Sequence, residues 1–448
     1  MKNLFFFLVL VPVLLFGQTN STAFNTFLNL EQTKYANIGF EVCNLSTNQV
    51  VTSYNSEKLM SPASLQKLLT TSVALSELGE DFQFKTEMKL NGTIENGVFS
   101  GILKIIASGD PSLEASFITE IIAFLKANKI SKFVGKIDLD ESKYSNLPNQ
   151  TWLLEDVANY YGTTAFGFNF MQNTYLLNFA QSAENLKPKL VSTTPNMQHL
   201  SFDNRVVSKG KKDYAYILGV PFSTERKIVG SIPAGTGTFS IKGAMDNPAT
   251  VFKNLLLKKF KEQNIEFVSK NDVSKVETEL SKIIYSPRLT DIVKETNLKS
   301  NNLYAEALLN ALAIKKYGFA SEENGINVLK DLFASKESKL YDGSGLSRKN
   351  KFSTDFLMQI LKQNKDNLSF KNSLGVSGVS GTMVYFNSEK VYGKIKAKSG
   401  SADGILNYAG YFENSKGQQF AFTFIVNDFS GSTSGLRKEM VKVLEAFL

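Results

Sequence analysis

A chain of 448 residues with 43% hydrophobic and 21% charged side chains has core enough for two or three domains and is neither fibrous nor disordered. Its 50 basic residues exceed its 42 acidic ones by eight, but the excess is spread without a long basic run, which suits an anionic polymer and argues against nucleic-acid binding. A single cysteine, Cys43, and a single histidine, His199, exclude an intrachain disulfide and effectively exclude metal sites built on His or Cys clusters.

The chain opens on Met1-Lys2-Asn3, and residues 4–16 are apolar apart from Pro12. That length fits a signal-peptide core and is too short to span a bilayer. Gly17 precedes the polar Gln18-Thr19-Asn20, so residues 1–17 read as a signal peptide and the protein as exported. No cysteine follows to carry a lipid anchor, and no other apolar stretch is long enough for a transmembrane anchor.

Residues 36–43 and 49–54 read as two strands around a turn at 45–48. Cys43 lies in an apolar strand and reads as a buried, inert thiol. A helix follows at 62–78, with Ser61 as its cap, Pro62 in its first turn, an apolar face of Leu65, Leu68, Leu69, Val73 and Leu75, and Gly79 at its end. From 81 to 290 strand-like runs dominate, at 84–92, 98–107, 133–139, 174–180, 214–219 and 237–242, with helices at 113–127 and 247–263. Helical periodicity returns at 287–316 and 320–334. Strands at 392–399, 405–413 and 419–427 and a helix at 434–448 close the chain. The two ends share a style, so the economical reading is an α/β (α+β) fold: one antiparallel sheet flanked by helices, with a large β-rich insertion.

Ser64-Leu65-Gln66-Lys67 places Ser and Lys on one face of a helix. Ser64 falls in the first turn, where unpaired N–H groups and the helix dipole favour an oxyanion. Lys67 can take the Ser64 proton if burial and nearby positive charge lower its pKa. The pattern alone is weak, because Ser208-Lys209-Gly210-Lys211 repeats it in a loop-like stretch. Ser300-Asn301-Asn302 opens a helix, where a cap is the simpler reading; S-x-N recurs at 46–48, 53–55 and 269–271. Lys398-Ser399-Gly400-Ser401 lies at a strand end. A Lys beside two hydroxyls can hold a carboxylate, and Gly400 admits a substrate backbone added to the edge. No phosphate-binding glycine motif is present, and His199 sits in a loop-like stretch, so the base of any hydrolase here is not histidine.

The three motifs in this order resemble those of penicillin-recognising active-site serine enzymes. The spacing of 233 from Lys67 to Ser300 (300 − 67) is far longer than in β-lactamases. It resembles that of the D-alanyl-D-alanine carboxypeptidase/endopeptidase family of penicillin-binding protein 4 (peptidase family S13). Further stretches share that texture: Ser61-Pro62-Ala63-Ser64, Ser108-Gly109-Asp110-Pro111, Tyr161-Gly162, Asp342-Gly343-Ser344-Gly345-Leu346-Ser347-Arg348 and Ser377-Gly378-Val379-Ser380-Gly381-Thr382.

The resemblance implies a penicillin-binding-protein/β-lactamase-like transpeptidase fold. It implies a catalytic domain of residues 18–80 and 286–448, an inserted domain II of 81–173 and 243–285, and a domain III of 174–242. By the same resemblance Ser64 is the acylated nucleophile, Lys67 its base and Ser300 a proton relay, with Lys398 keeping Lys67 poised. Asn302 binds the substrate amide. Lys398, Ser399 and Ser401 hold the terminal carboxylate, and the N–H groups of Ser64 and Ser401 form the oxyanion hole. Ser399 departs from the family's usual Thr. Trp152-Leu153-Leu154-Glu155-Asp156 shapes a donor side-chain pocket or else belongs to the core and a surface ion pair. The implied activity needs no cofactor and no metal. Its partners are peptidoglycan peptides and β-lactam antibiotics, its compartment is the bacterial periplasm, and peripheral association with cell wall or membrane stays open. A β-lactamase-like hydrolase and a non-catalytic cell-wall-binding homologue are the alternatives.

Overall fold

The computed structural model describes residues 22–220, 222–271, 278–333 and 338–448; the leader expected at 1–17 lies outside them. The two ends of the described chain build one six-stranded antiparallel sheet. Its order is Gly375–Val376, Ile395–Ala402, Ile405–Glu413, Gln419–Asn427, Asn37–Asn44 and Val50–Tyr54. The first long strand thus pairs with the last, from Asn37 opposite Asn427 to Asn44 opposite Phe420. Both faces are covered, so the 419–427 strand is buried at every position after Gln419. On one face Phe24, Phe27, Phe40, Phe424, Leu436 and Met440 join the helices Thr22–Leu28 and Thr433–Glu445 to the sheet. On the other, Leu68, Leu69, Leu308, Phe356 and Ile425 pack under the helices Gln66–Leu78, Asn302–Tyr317 and Thr354–Gln363. Each such large side chain contributes about 1.5–3 kcal/mol by leaving water. Cys43 is fully buried there, and burial raises its thiol pKa.

Between these ends the chain leaves and returns at one place. Phe84 N donates to Ser286 Oγ at 2.9 Å, Ser286 N donates to the Phe84 carbonyl, and Leu289 N donates to the Phe82 carbonyl. The excursion carries a five-stranded mixed sheet ordered Glu266–Ser269, Lys132–Asp140, Val98–Ile106, Lys85–Glu95 and Thr278–Tyr285. Phe117 and Ile121 of the helix Ser116–Ala127 and Phe252, Leu256 and Phe260 of the helix Pro248–Glu262 cover it. Two three-stranded sheets follow: Thr238–Ala244 with Thr174–Ala180 and Lys189–Thr194, and Tyr216–Leu218 with Glu225–Val229 and Ser201–Asn204. The expected fold class therefore holds: an antiparallel sheet flanked by helices, carrying a β-rich insertion.

Several expected boundaries shift for local reasons. The helix expected at 62–78 is a 3-10 turn, Ala63–Leu65, followed by an α-helix, Gln66–Leu78. Ser61 is not its cap: Pro62 stands at the cap position and no side chain caps the turn, while the Ser61 N–H donates to Asn427 Oδ1. The run 287–316 is two helices, Leu289–Leu298 and Asn302–Tyr317, broken where Ser300 takes φ +56° and Asn301 caps the second by accepting from Tyr304 N. The strand expected at 392–399 is Ile395–Ala402. Gly393, at φ +72°, makes a turn of its first residues, so Lys398 stands mid-strand and the K-S-G-S motif is not a strand end.

Candidate active site

Ser64 sits in the short turn Ala63–Leu65, half-buried, where Ala63 takes φ +45°. A non-glycine residue holds such a conformation only when its surroundings enforce it. Here two sheet asparagines do. Asn407 Nδ2 donates to the carbonyls of Ser61 and Pro62 at 2.9 and 3.1 Å, and Asn427 Oδ1 accepts from Ser61 N at 2.7 Å. Two glycines then let neighbouring segments close on the turn. A Cβ at Gly400 would stand 2.5 Å from the Pro62 carbonyl oxygen, and one at Gly345 would overlap the Ala63 carbonyl. Gly400 thus serves to seat the 395–402 strand against the Ser64 turn, a packing duty beside the substrate approach expected of it.

Lys67, one helical turn on, is wholly buried. Its Nζ lies 2.6 Å from Asn302 Oδ1, 2.6 Å from the Ser344 carbonyl oxygen and 3.1 Å from Ser64 Oγ. Asn302 cannot present its amide the other way round, because its Nδ2 donates to the Tyr161 carbonyl at 2.7 Å. Burial pulls the Lys67 pKa down to about 7, against the opposing pull of Asp342 and Glu306. A neutral lysine has two N–H bonds and one lone pair. Two of the three neighbours can only accept, so the lone pair is left for the Ser64 hydroxyl.

The two acids belong to the same construction. Glu306 lies four residues after Asn302 on one helix face and accepts from Gly343 N at 3.0 Å. Its burial, with Asp342 nearby, pushes its pKa up to about 8. Asp342 accepts from Trp152 Nε1, Gly345 N, Ser347 N and Asn350 Nδ2 at 2.6–2.9 Å. Together they shape the 342–347 loop that presents the Ser344 carbonyl. The sequence reading noted this Asp-Gly-Ser-Gly run and assigned it no role; it missed Glu306 altogether. The helical spacing from Asn302 was the available signal.

The second half of the site is built on Lys398, also wholly buried. Its Nζ donates to Ser300 Oγ and to the Ser399 carbonyl, both at 2.8 Å. Burial, then the Lys67 charge, holds it well below the usual lysine range. The break that lifts Ser300 out of the helix is what turns it to Lys398. Gly375 pairs with Ala397, but no strand pairs beyond it on that side of 398–402 among the described residues. The Ile395 carbonyl accepts from Ser377 N on the same side. By the two-residue period the N–H groups of Ser399 and Ser401 face that open edge. Ser399 is half-buried and Ser401 exposed.

The structure therefore links Ser64, Lys67 and Asn302 directly, links Lys398 to Ser300, and sets Gly400 between Ser399 and Ser401 against the Ser64 turn. It brings neither other candidate to them. Ser208 is buried in a separate two-stranded pairing and bonds Ser182 Oγ at 3.0 Å. His199 Nε2 lies 2.8 Å from Asp246 Oδ1 within the insertion. Trp152 is in the core, and Glu155 lies 3.6 Å from Arg348 at the surface.

Residues 23–447 match the D-Ala-D-Ala carboxypeptidase 3 (S13) family. The chain is 27% identical over 416 residues to the D-alanyl-D-alanine carboxypeptidase DacB of Haemophilus influenzae, covering 88% of this chain and 86% of that one. It is 24% identical over 422 residues to a D-alanyl-D-alanine carboxypeptidase of Actinomadura sp. (strain R39), covering 88% and 78%. The crystal structure of penicillin-binding protein 4 from Haemophilus influenzae shares the fold, with TM-score 0.79 at 24% identity over 94% of this chain and 98% of that one.

Proposed function

Since the chain belongs to the D-Ala-D-Ala carboxypeptidase 3 (S13) family and is a serine-type D-alanyl-D-alanine carboxypeptidase, we propose that it acts on peptidoglycan stem peptides through an acyl-enzyme on Ser64 and also cuts D,D-cross-links. The observation that carries the assignment is the Lys67 amine, with its N–H bonds spoken for by Asn302 and Ser344 and its third contact the Ser64 hydroxyl. Ser64 Oγ attacks the carbonyl carbon of the penultimate D-Ala while its proton passes to Lys67 Nζ. The N–H groups of Ser64 and Ser401 receive the oxyanion. The proton then reaches the leaving amine by way of Ser300, whose oxygen accepts from Lys398 and whose own O–H is thereby free to donate. Water hydrolyses the ester by the reverse route.

The substrate backbone lies along the open edge at 398–402, as an added strand, with Asn302 on its amide. Ser399 and Ser401 take the terminal carboxylate by contact. Lys398, buried beneath them, adds its charge from behind. Residues 1–17 act as a leader for export to the periplasm, and β-lactams acylate the same serine. The bonds joining 82–84 to 286–289 support the division into a catalytic domain of 18–80 and 286–448, a domain II of 81–173 and 243–285, and a domain III of 174–242.

Penicillin treatment followed by intact-mass analysis and peptide mapping tests the assignment. One adduct is expected, on the Ser64 peptide. An adduct on Ser208, or none, overturns it.

A further inference from the structure

A cleft away from the Ser64 cluster has a volume of about 980 Å³ and lies between the 153–155 loop and the sheet formed by 201–204, 216–218 and 225–229. Leu153, Leu154, Leu218 and Val220 line it and are exposed. At its base is Arg226, 4% exposed. Its Nη1 donates to the carbonyls of Ser223 and Glu225 at 2.6 and 2.8 Å; the buried Tyr175 hydroxyl also lies against the guanidinium, but Nε makes no hydrogen bond of good geometry. Among the described residues no carboxylate pairs with it. Asp246, in the small cavity behind, is held by His199 at 2.8 Å; Asp203 is held by Arg205 at 2.9 Å; Glu155 faces Arg348 at 3.6 Å. A buried guanidinium without an anion is costly unless a ligand supplies one. Gly219 leaves room for it: a Cβ there would stand 2.8 Å from Arg226 Cδ and 3.1 Å from Nε.

Hydrogen bonds along one loop link the cleft to the Ser64 cluster. Asn159 bonds Ile217 twice, through Nδ2 to its carbonyl and through Oδ1 from its N–H. Two residues on, the Tyr161 carbonyl holds Asn302. One loop therefore forms both a wall of the cleft and a support of the catalytic asparagine.

We propose that this cleft is a second substrate subsite, one that takes the carboxylate-bearing arm of a branched or cross-linked peptide. Arg226 receives the carboxylate, and the four exposed apolar side chains cover the aliphatic part of the arm. This rests on the peptidase reading above, because that reading supplies a substrate with a second, carboxylate-ended arm.

The test compares wild type, Gly219→Ala and Arg226→Lys on three probes: penicillin, a short D-Ala-D-Ala-ended tripeptide, and a cross-linked muropeptide dimer with its distal carboxylates free or amidated. Penicillin and tripeptide report the Ser64 cluster alone. Both variants should keep acylation and tripeptide kcat/KM within about twofold of wild type, and lose about tenfold in kcat/KM on the free-acid dimer, mostly through KM. Amidating the dimer should cost the wild type a similar factor and the variants little more. Wild-type sensitivity to amidation that persists unchanged in both variants overturns the subsite, as does a parallel loss on all three probes, which marks a structural effect. Should the wild type fail on penicillin and tripeptide, the peptidase reading is what fails. Dimer binding to Ser64→Ala protein, with and without Gly219→Ala, then still decides the cleft: equal affinity overturns it.

Discussion

Replacing Lys67 by methionine removes a titrating group from the core while nearly keeping its volume, and the consequence depends on pH in a calculable way. Lys67 falls from 10.5 to about 7 on burial. Between those values the unfolded chain holds a proton that the folded one does not, so the wild type gains stability as pH rises through this window. Below about 7 both states are protonated and the dependence vanishes. At 1.36 kcal/mol for each pH step of one, and with both ends of the window half-titrated, the rise from pH 7 to 10.5 comes to about 4 kcal/mol. The methionine variant lacks this rise. It also strands Asn302 Oδ1 and the Ser344 carbonyl, each at about 1–3 kcal/mol, but that loss does not vary with pH. Urea unfolding of both proteins at intervals from pH 6 to 10.5 should therefore show a wild-type advantage that grows by about 4 kcal/mol from pH 7 to pH 10.5, on top of a pH-independent offset. In parallel, wild-type acylation by penicillin should fall about tenfold per pH step below 7 and level off above 8, and the variant should lose ~10²–10⁴-fold or more at every pH. Stability curves that stay parallel to within about 1 kcal/mol would mean that Lys67 titrates as an ordinary lysine, and the general-base argument would go with them.

Other outcomes follow from single contacts. Gly400→Ala drives a methyl group against the Pro62 carbonyl at 2.5 Å; it should cost about 1–3 kcal/mol by overpacking and slow acylation more than a distant change of equal stability cost, read by melting and stopped-flow acylation. Lys398→Ala leaves Ser300 without its donor, so the plateau rate of penicillin acylation should drop about 10²-fold or more. Arg should rescue this imperfectly, because a fork does not replace a point charge. His199→Ala should leave turnover on a short peptide within a few-fold, since its partner is Asp246 in the insertion; collapse of turnover in a folded protein would return histidine to the mechanism.

Much of this architecture could be read from residue order, and the failures have physical causes. The pairing of chain ends showed in the apolar runs of 37–44 and 419–427, because strands covered on both faces need nearly continuous apolar sequence. The 278–285 strand was missed for the opposite reason: it alternates half-buried with exposed positions and ends a sheet, so its polar members hid it. The break at Ser300 showed only as a candidate helix start at Ser300-Asn301-Asn302, because helical periodicity continues across it. Only the left-handed backbone there separates two helices and frees the serine for Lys398. Strand 395–402 was displaced by three residues because Val391 and Tyr392 look strand-like, whereas its own centre buries a lysine and a glycine for the chemistry. Motifs located Ser64, Lys67, Asn302, Ser300 and Lys398. They could not show which acceptors surround Lys67, since Ser344 contributes a backbone carbonyl and Glu306 acts through Gly343.

The antiparallel pairing of Asn37–Asn44 with Gln419–Asn427 also sets a timetable. The serine turn is pinned by Asn407 and Asn427, and its relay hangs on Lys398. All three lie more than 300 residues after Ser64 in the sequence. A nascent or still-threading chain therefore carries Ser64 without the asparagines that strain its turn, without the strand that backs it and without a poised base. On the proposed mechanism, Ser64 gains its nucleophilic surroundings only when the 405–427 hairpin docks. By the same logic, a nonsense codon or a proteolytic nick that removes the chain from residue 419 onward should disarm Ser64 as completely as replacing it.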